Sequence, residues 1–483
     1  MTDLALGVVP SILNEFPPFF QGGMGAGVSR WWLARMVAIL GGVGTLSSAA
    51  LRSLIIEAVR NGDEKVIAMA KTFPFPQHIA ELLAFAPGGK MHKSIGPMDQ
   101  AGPKGERARR LSTIASFTEV SLAKEGHRGK MAENVMWKIP QTVLPTIYGA
   151  MLAGIDLLAC GAGVPMELAE IVLKIRRGES LYYAALYGTG TSAELQVIDG
   201  TAEFLERFER PKLAVILSNF AFCGKIKENW WKNHRMVPDF IVIEGYEAGG
   251  HNAPPRNKRE HTEEEDGVET YFNKVLALGI PVIVAGAFKY GGNRKDLRYW
   301  RRKGAYGIQV GSRFALCEES PFLPKVKKRI IANNRRGRTK IVTSKRSPTG
   351  YPWKEVQLNG TLSSMSVYNK RKRRCLYGYL RKGHKVMVNG KEIEVLTCPA
   401  MPVETYIRLH PEKTRAECLA ECAGVICLCE ALPSNVGVLS GPPTVTLGLS
   451  GKLAKKHLTV RQIMEDILTP RCVAQSEKKL LIT

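Results

Sequence analysis

The chain has 483 residues, 45% of them hydrophobic, and carries 68 Lys and Arg against 44 Asp and Glu for a formal net charge of +24. That length and apolar content support one large domain with a smaller appendage, and they exclude disorder over the whole length. The opening MTDLALGVVPSILNEFPPFF has no basic run before its apolar part and carries Asp3 and Glu15, so it does not fit a signal peptide.

The segment WWLARMVAILGGVG is broken by Arg35 and rich in glycine, so a membrane span is not expected. Ten cysteines at irregular spacing predict reduced thiols in a cytosol rather than a disulfide framework.

In chain order, short apolar runs ending in small residues predict eight strands: FFQGG (19–23), GGVGTLSS (41–48), RLSTIASF (110–117) and GIDLLACGAG (154–163) come first. KLAVILSN (212–219), DFIVIEG (239–245), IPVIVAGAF (280–288) and AYGIQVGSRF (305–314) follow. They are rich in Val, Ile and Leu with little alternation, as in strands covered on both faces. Helical segments lie between them: AALRSLIIEAVRNG after TLSS, NKVLALG before Pro281, and RKDLRYWRRKG with Gly304 as its stop. Eight strands alternating with helices predict an α/β fold, a TIM (β/α)8 barrel, with a doubly wound sheet as the competitor. The spacing in QGGMGAGVS does not fit the G-x-G-x-x-G of a dinucleotide fold. The expected division is an N-terminal extension over 1–18, the barrel over 19–345 and a C-terminal extension over 346–483 that packs on it.

The basic runs between Lys325 and Arg346 and over Lys370 to Arg374 are expected to be solvated faces. They lack the interleaved aromatics that stacking on single strands requires, which argues against nucleic acid as a partner.

Barrel enzymes often hold phosphate in the loops after the seventh and eighth strands. Gly286 and Ala287 in the first, with Gly311 and Ser312 in the second, are the expected backbone donors. In the loop after the sixth strand, IEGYEAGGHNAPPR places His251 behind Gly249 and Gly250 and ahead of Pro254 and Pro255. The glycines let the main chain approach a planar ligand, and the prolines brace the loop. His251 is therefore the expected catalytic base.

Six stretches carry a resemblance: QGGMGAGVSRWWLA, IYGAMLAGIDLLACGAGVP, EGYEAGGHNAPPR, PVIVAGAFKYGG, GIQVGSRFALCEES and SPTGYPWKEVQLNGTLS. In order over about residues 20 to 365, they resemble the FMN-dependent nitronate monooxygenase family, whose barrel is shared with flavin-dependent enoyl-acyl-carrier reductases. The tail stretches CPAMPVETYI and CLCEALPSNVGV resemble a longer subgroup of the same family. The resemblance implies FMN at the C-terminal face of the barrel, with Gly22, Gly23 and Met24 along the flavin ring. It puts Gln309, Gly311, Ser312, Gly286 and Ala287 near the ribityl phosphate, and Lys138 and Gln141 of MWKIPQ against the flavin. His251 falls on the family's catalytic histidine. Ala287 departs from a second glycine of the pattern, and Ser116 stands where an asparagine is expected near the end of strand three.

The implied reaction oxidises a small nitronate with dioxygen to a carbonyl compound and nitrite. The alternatives are reduction of an enoyl thioester with NAD(P)H and, in a different class, an inactive barrel that binds nucleic acid or other anions. In the tail, Cys375, Cys398, Cys418, Cys422, Cys427 and Cys429 match neither a zinc module nor a ferredoxin run, so free thiols and no metal are expected.

Overall fold

The computed structural model describes residues 15–88, 103–251, 267–388 and 390–482. Eight strands lie in one sheet: β1 Phe19–Gln21, β2 Gly44–Ser47, β3 Met131–Met136, β4 Leu157–Gly161, β5 Lys212–Leu217, β6 Phe240–Glu244, β7 Val282–Ala285 and β8 Gly307–Val310. Neighbours pair in parallel from β2 through β8, and β1 pairs with β8 in the register Phe19↔Ile308. The ring closes between β1 and β2, where Gln21 N donates to Val43 O at 3.0 Å and Val43 N to Phe19 O at 2.8 Å. With every strand followed by a helix on the outside, this is a TIM barrel.

The two faces of the strands separate two cores. Inward residues such as Ala132, Ala159, Ala214, Ile216 and Ile283 fill the barrel. Phe16, Phe20, Phe240 and Tyr306 pack edge-on or tilted at centroid distances of 5.1–6.3 Å. Outward residues pack under the helices in a far larger cluster. This double burial is why the strands show little alternation.

Strand three corrects the sequence expectation. Residues 110–117 belong to a 22-residue helix, Pro103–Lys124, and β3 is MAENVM instead. The helix is buried on several sides, through Leu111, Ile114, Ala115, Phe117 and Val120, so it shows no clean amphipathic period. Its hydroxyls bond back along the helix, Ser112 Oγ to Ala108 O at 2.9 Å and Thr118 Oγ1 to Ile114 O at 2.7 Å. In β3 the polar Glu133 and Asn134 disguise a buried strand. Ser116 Oγ donates to Glu133 Oε2 at 2.9 Å, so the missed strand and the misassigned helix touch. Burial pushes the Glu133 carboxyl up to about 8.

Beyond the barrel, Lys340–Ser344 pairs antiparallel with Trp353–Gln357, and Lys382–Val388 with Lys391–Thr397. The helix Val460–Ile467 returns to the barrel, where Ile463, Met464 and Ile467 join the main core. The basic runs are only partly solvated. Lys325, Lys328, Arg336 and Arg338 are exposed as expected. Lys327, however, is buried and donates to the carbonyls of Cys317, Glu318 and Ser320 at 2.8–2.9 Å. Arg373 donates to the carbonyls of Pro399 at 3.0 Å, Met401 at 3.2 Å and Cys422. These cations tie down carbonyls that no helix or sheet satisfies. Among the described residues, no helix is long and apolar enough to cross a membrane.

Candidate active site

The C-terminal ends of the strands surround a cavity of about 260 Å³. Of the residues singled out in the sequence, Gly22, Gly23, Met24, Gly249, Gly250, His251, Gly286, Gln309, Gly311 and Ser312 line it. Lys138, Gln141 and Ala287 are not among its lining residues. Pro254 and Pro255, expected to brace the histidine, lie outside the described residues.

Among the described residues, the tail holds His251. Its Nε2 is 2.6 Å from Ser347 Oγ, and its ring meets the Trp353 ring edge-on at 4.7 Å. Ser347 Oγ also accepts from Thr349 N at 3.2 Å and lies 2.8 Å from Thr349 Oγ1. Lys354 N donates to Gly250 O at 2.9 Å, which anneals the strand Trp353–Gln357 to the loop after β6.

The two glycines before His251 line the cavity and also meet the tail. A β-carbon at Gly249 would stand 2.8 Å from Gly448 N and 3.0 Å from Leu447 C, so the missing side chain makes room for the tail backbone. Gly250 N donates to Thr446 Oγ1 at 2.7 Å, and Gly448 N donates to Ser312 Oγ at 2.9 Å. Thr446, Leu447, Gly448 and Ser450 therefore form part of the cavity wall between the sixth and eighth strands.

Asn134, near the end of β3, lines the cavity, whereas Ser116 lies in the helix Pro103–Lys124. A β-carbon on Gly23 would fall 2.2 Å from Asn134 Cβ, so the glycine wall and this amide side chain are in close apposition.

Charge in the site is set by burial. Glu244, at the end of β6, lines the cavity, and burial pushes its carboxyl up to about 7 against the opposing pull of Lys138. Burial, with Lys382 nearby, brings the Lys138 ammonium down to about 8. Burial, then the positive charge of Lys138, holds the His251 imidazole well below its ordinary value. At neutral pH the site therefore presents a neutral imidazole beside a mostly charged lysine.

Several lining residues escaped the sequence reading. Glu244 had a visible signal, a lone acid at the C-terminal end of a strand in IVIEG. Trp353 and Cys429 lie in stretches that carried the resemblance but were given no role, and Tyr379 and Thr446 had no signal, because tertiary packing alone brings the tail over the barrel mouth.

Residues 213–361 match the family model for nitronate monooxygenase. A probable nitronate monooxygenase of Bacillus subtilis (strain 168) is 32% identical over 106 residues, which is 22% of this chain and 29% of that protein. The alignment thus spans less than a third of that relative's length. Among solved structures, FabK from Thermotoga maritima aligns at 16% identity with a TM-score of 0.47, covering 98% of this chain and 97% of that one. A nitroalkane oxidase from Streptomyces ansochromogenes aligns at 14% identity and 0.45, covering 96% and 99%. The resemblance read from the motifs is borne out by the family match, which takes in β5 through β8 and His251.

Proposed function

We propose that the protein is an FMN-dependent oxidoreductase that oxidises alkyl nitronates with dioxygen to a carbonyl compound and nitrite. The observation that carries this reading is the placement of His251 on the wall of a glycine-lined cavity at the C-terminal mouth of the barrel. Gly22, Gly23, Gly286 and Gly311 leave a wall without side chains, and the close stop at Asn134 shows that this wall is shaped rather than merely loose. Such a wall suits a flat tricyclic ring, with Gly286, Gly311 and Ser312 at the phosphate end. FMN, when bound, supplies the redox chemistry.

The chain's own residues supply proton handling and charge. Ser347 Oγ, accepting from His251 Nε2–H and donating to Thr349 Oγ1, leaves His251 Nδ1 with its lone pair to take a proton from the carbon beside the nitro group. The lowered pKa keeps that imidazole neutral and ready over the physiological range. Lys138 stays outside the cavity lining, yet its charge biases the site toward an anion.

A second reading, reduction of an enoyl thioester with NAD(P)H, is favoured by the apolar part of the wall, where Ile139, Tyr379, Leu380, Leu428 and Leu432 line the cavity. Purified protein should be yellow and release FMN, and should consume oxygen and produce nitrite with propionate 3-nitronate. Colourless protein that takes up no FMN would refute the cofactor. Rapid bleaching by NAD(P)H without air, together with inert nitronate, would transfer the assignment to the reductase.

A further inference from the structure

The lobe beyond the barrel gathers a second set of polar side chains, none of which lines the active-site cavity. His384, His410 and Glu412 each offer one ligating atom, and the three atoms lie within 4.8 Å of one another. His384 stands on the hairpin strand Lys382–Val388, while His410 and Glu412 follow the helix Val403–Arg408. Among the described residues, no cysteine shares this group, so it is separate from the thiols of the tail.

The two imidazoles lie parallel, with centroids 4.0 Å apart and planes 4° from one another. Each ring turns one nitrogen toward Thr397 and the other away from it. Thr397 Oγ1 lies 2.9 Å from His410 Nε2 and 3.4 Å from His384 Nδ1. On the far side, His410 Nδ1 meets Glu412 Oε1 at 2.7 Å, and His384 Nε2 donates to Leu409 O at 3.0 Å. Ligating histidines have this form, with one nitrogen for the ion and the other N–H held by an outer acceptor. A hydroxyl oxygen has two lone pairs, so Thr397 can accept from both rings.

His410 is only 5% exposed and is fixed by its neighbours. The Tyr406 ring lies tilted over it at 4.3 Å, and Tyr406 Oη donates to Glu421 Oε2 at 2.7 Å. Lys413 Nζ holds the same carboxylate at 2.7–2.8 Å. Glu412, by contrast, keeps 47% of its side chain exposed, which leaves a path for an ion and room for a water.

We propose that His384, His410 and Glu412 bind a divalent transition ion, zinc foremost, which pins the hairpin to the end of the neighbouring helix. Two imidazoles and a carboxylate are a zinc donor set, and three protein ligands leave the fourth position to water. Bonds of about 2.0–2.1 Å at tetrahedral angles place ligands about 3.4 Å apart, so closure moves these side chains by about an ångström and splays the parallel rings. Each ring then carries its hydrogen on the nitrogen facing Thr397 and gives the lone pair of the other nitrogen to the ion. The hairpin so pinned also reaches the catalytic end of the barrel. Lys382 Nζ, two residues before His384, donates to Thr349 O at 3.1 Å, and Thr349 Oγ1 lies 2.8 Å from the Ser347 hydroxyl that holds His251.

The test uses the purified full chain, stripped with a chelator and titrated with zinc chloride in a calorimeter, and it does not depend on which reaction the protein catalyses. Wild type should bind one zinc per chain that neither His410→Ala nor His384→Gln retains, and this zinc should raise the melting temperature. Magnesium should do neither, because imidazole is a poor ligand for it. Glu412→Gln, at an exposed side chain, and Thr397→Val should each weaken binding about 10- to 100-fold. Wild type that takes up no zinc overturns the proposal. So does undiminished binding by His384→Gln and Glu412→Gln, which would assign the ion to the cysteines. If His410→Ala fails to fold, Glu412→Gln decides.

Discussion

His251 Nε2 stands 2.6 Å from Ser347 Oγ, across 96 positions of sequence, so a residue outside the barrel strands fixes the imidazole at its mouth. Ser347→Ala removes that anchor but leaves the base. We expect kcat on nitronate to fall about 10- to 100-fold, the range a misplaced catalytic group produces, with KM little changed. His251→Asn should lose more on a neutral nitroalkane, which needs deprotonation, than on a preformed nitronate. Steady-state kinetics on both substrates with matched flavin occupancy checks the pair; equal losses on the two substrates would exclude proton abstraction.

Lys138 sets the charge felt by His251. Removing it in Lys138→Met takes away a positive neighbour, so the His251 pKa should rise toward 6.5 and the acid limb of the pH–rate profile should move up with it. A limb that stays in place or moves down would mean that burial alone tunes the imidazole.

The same histidine makes stability depend on pH. Its folded pKa lies below the unfolded 6.5, so the unfolded chain binds more protons below that pH. Its share of stability is therefore intact above pH 6.5 and is lost as pH falls. Urea unfolding at stepped pH should show His251→Asn with a shallower decline than wild type below 6.5.

Gly23 and Asn134 allow a paired test. A β-carbon on Gly23 would stand 2.2 Å from Asn134 Cβ, and neither atom has a rotamer to escape through. Gly23→Ala should cost about 1–3 kcal/mol and weaken flavin retention. Adding Asn134→Gly removes the opposing carbon and should recover part of the melting temperature. Failure of the double variant to recover would mean that the strain comes from elsewhere in the turn.

Arg373→Ala strips donors from the carbonyls of Pro399, Met401 and Cys422. Leaving such groups unpaired should cost about 2–3 kcal/mol. Limited proteolysis should then cut residues 398–424 first, while the barrel strands stay protected.

Most of the barrel could be read from the amino acids because strands covered on both faces leave continuous apolar runs. Strand three could not, since its Glu133 and Asn134 break the run, and Glu133 is tolerated inside only through Ser116 Oγ and a raised pKa. The glycine loops at 286 and 311 were legible for a related reason, since close backbone approach leaves a compositional trace, whereas Gly22 and Gly23 came through the family resemblance alone. Ser347 and Trp353 sat in a stretch that carried the resemblance, but neither they nor Thr446 showed where their segments dock, because a hydroxyl or indole on a distant segment carries no sign of its partner. The pair of glycines before His251 was legible as a close approach, and at Gly249 the approaching backbone includes Gly448 of the tail.

The bonds from Gly250 to Thr446 and from Gly448 to Ser312 set a timetable for biosynthesis. During translation, the eighth strand is complete at Val310, yet the rim waits for more than a hundred further residues. A chain stopped before Thr446 would lack Thr446, Leu447, Gly448 and Ser450, and with them that side of the cavity wall.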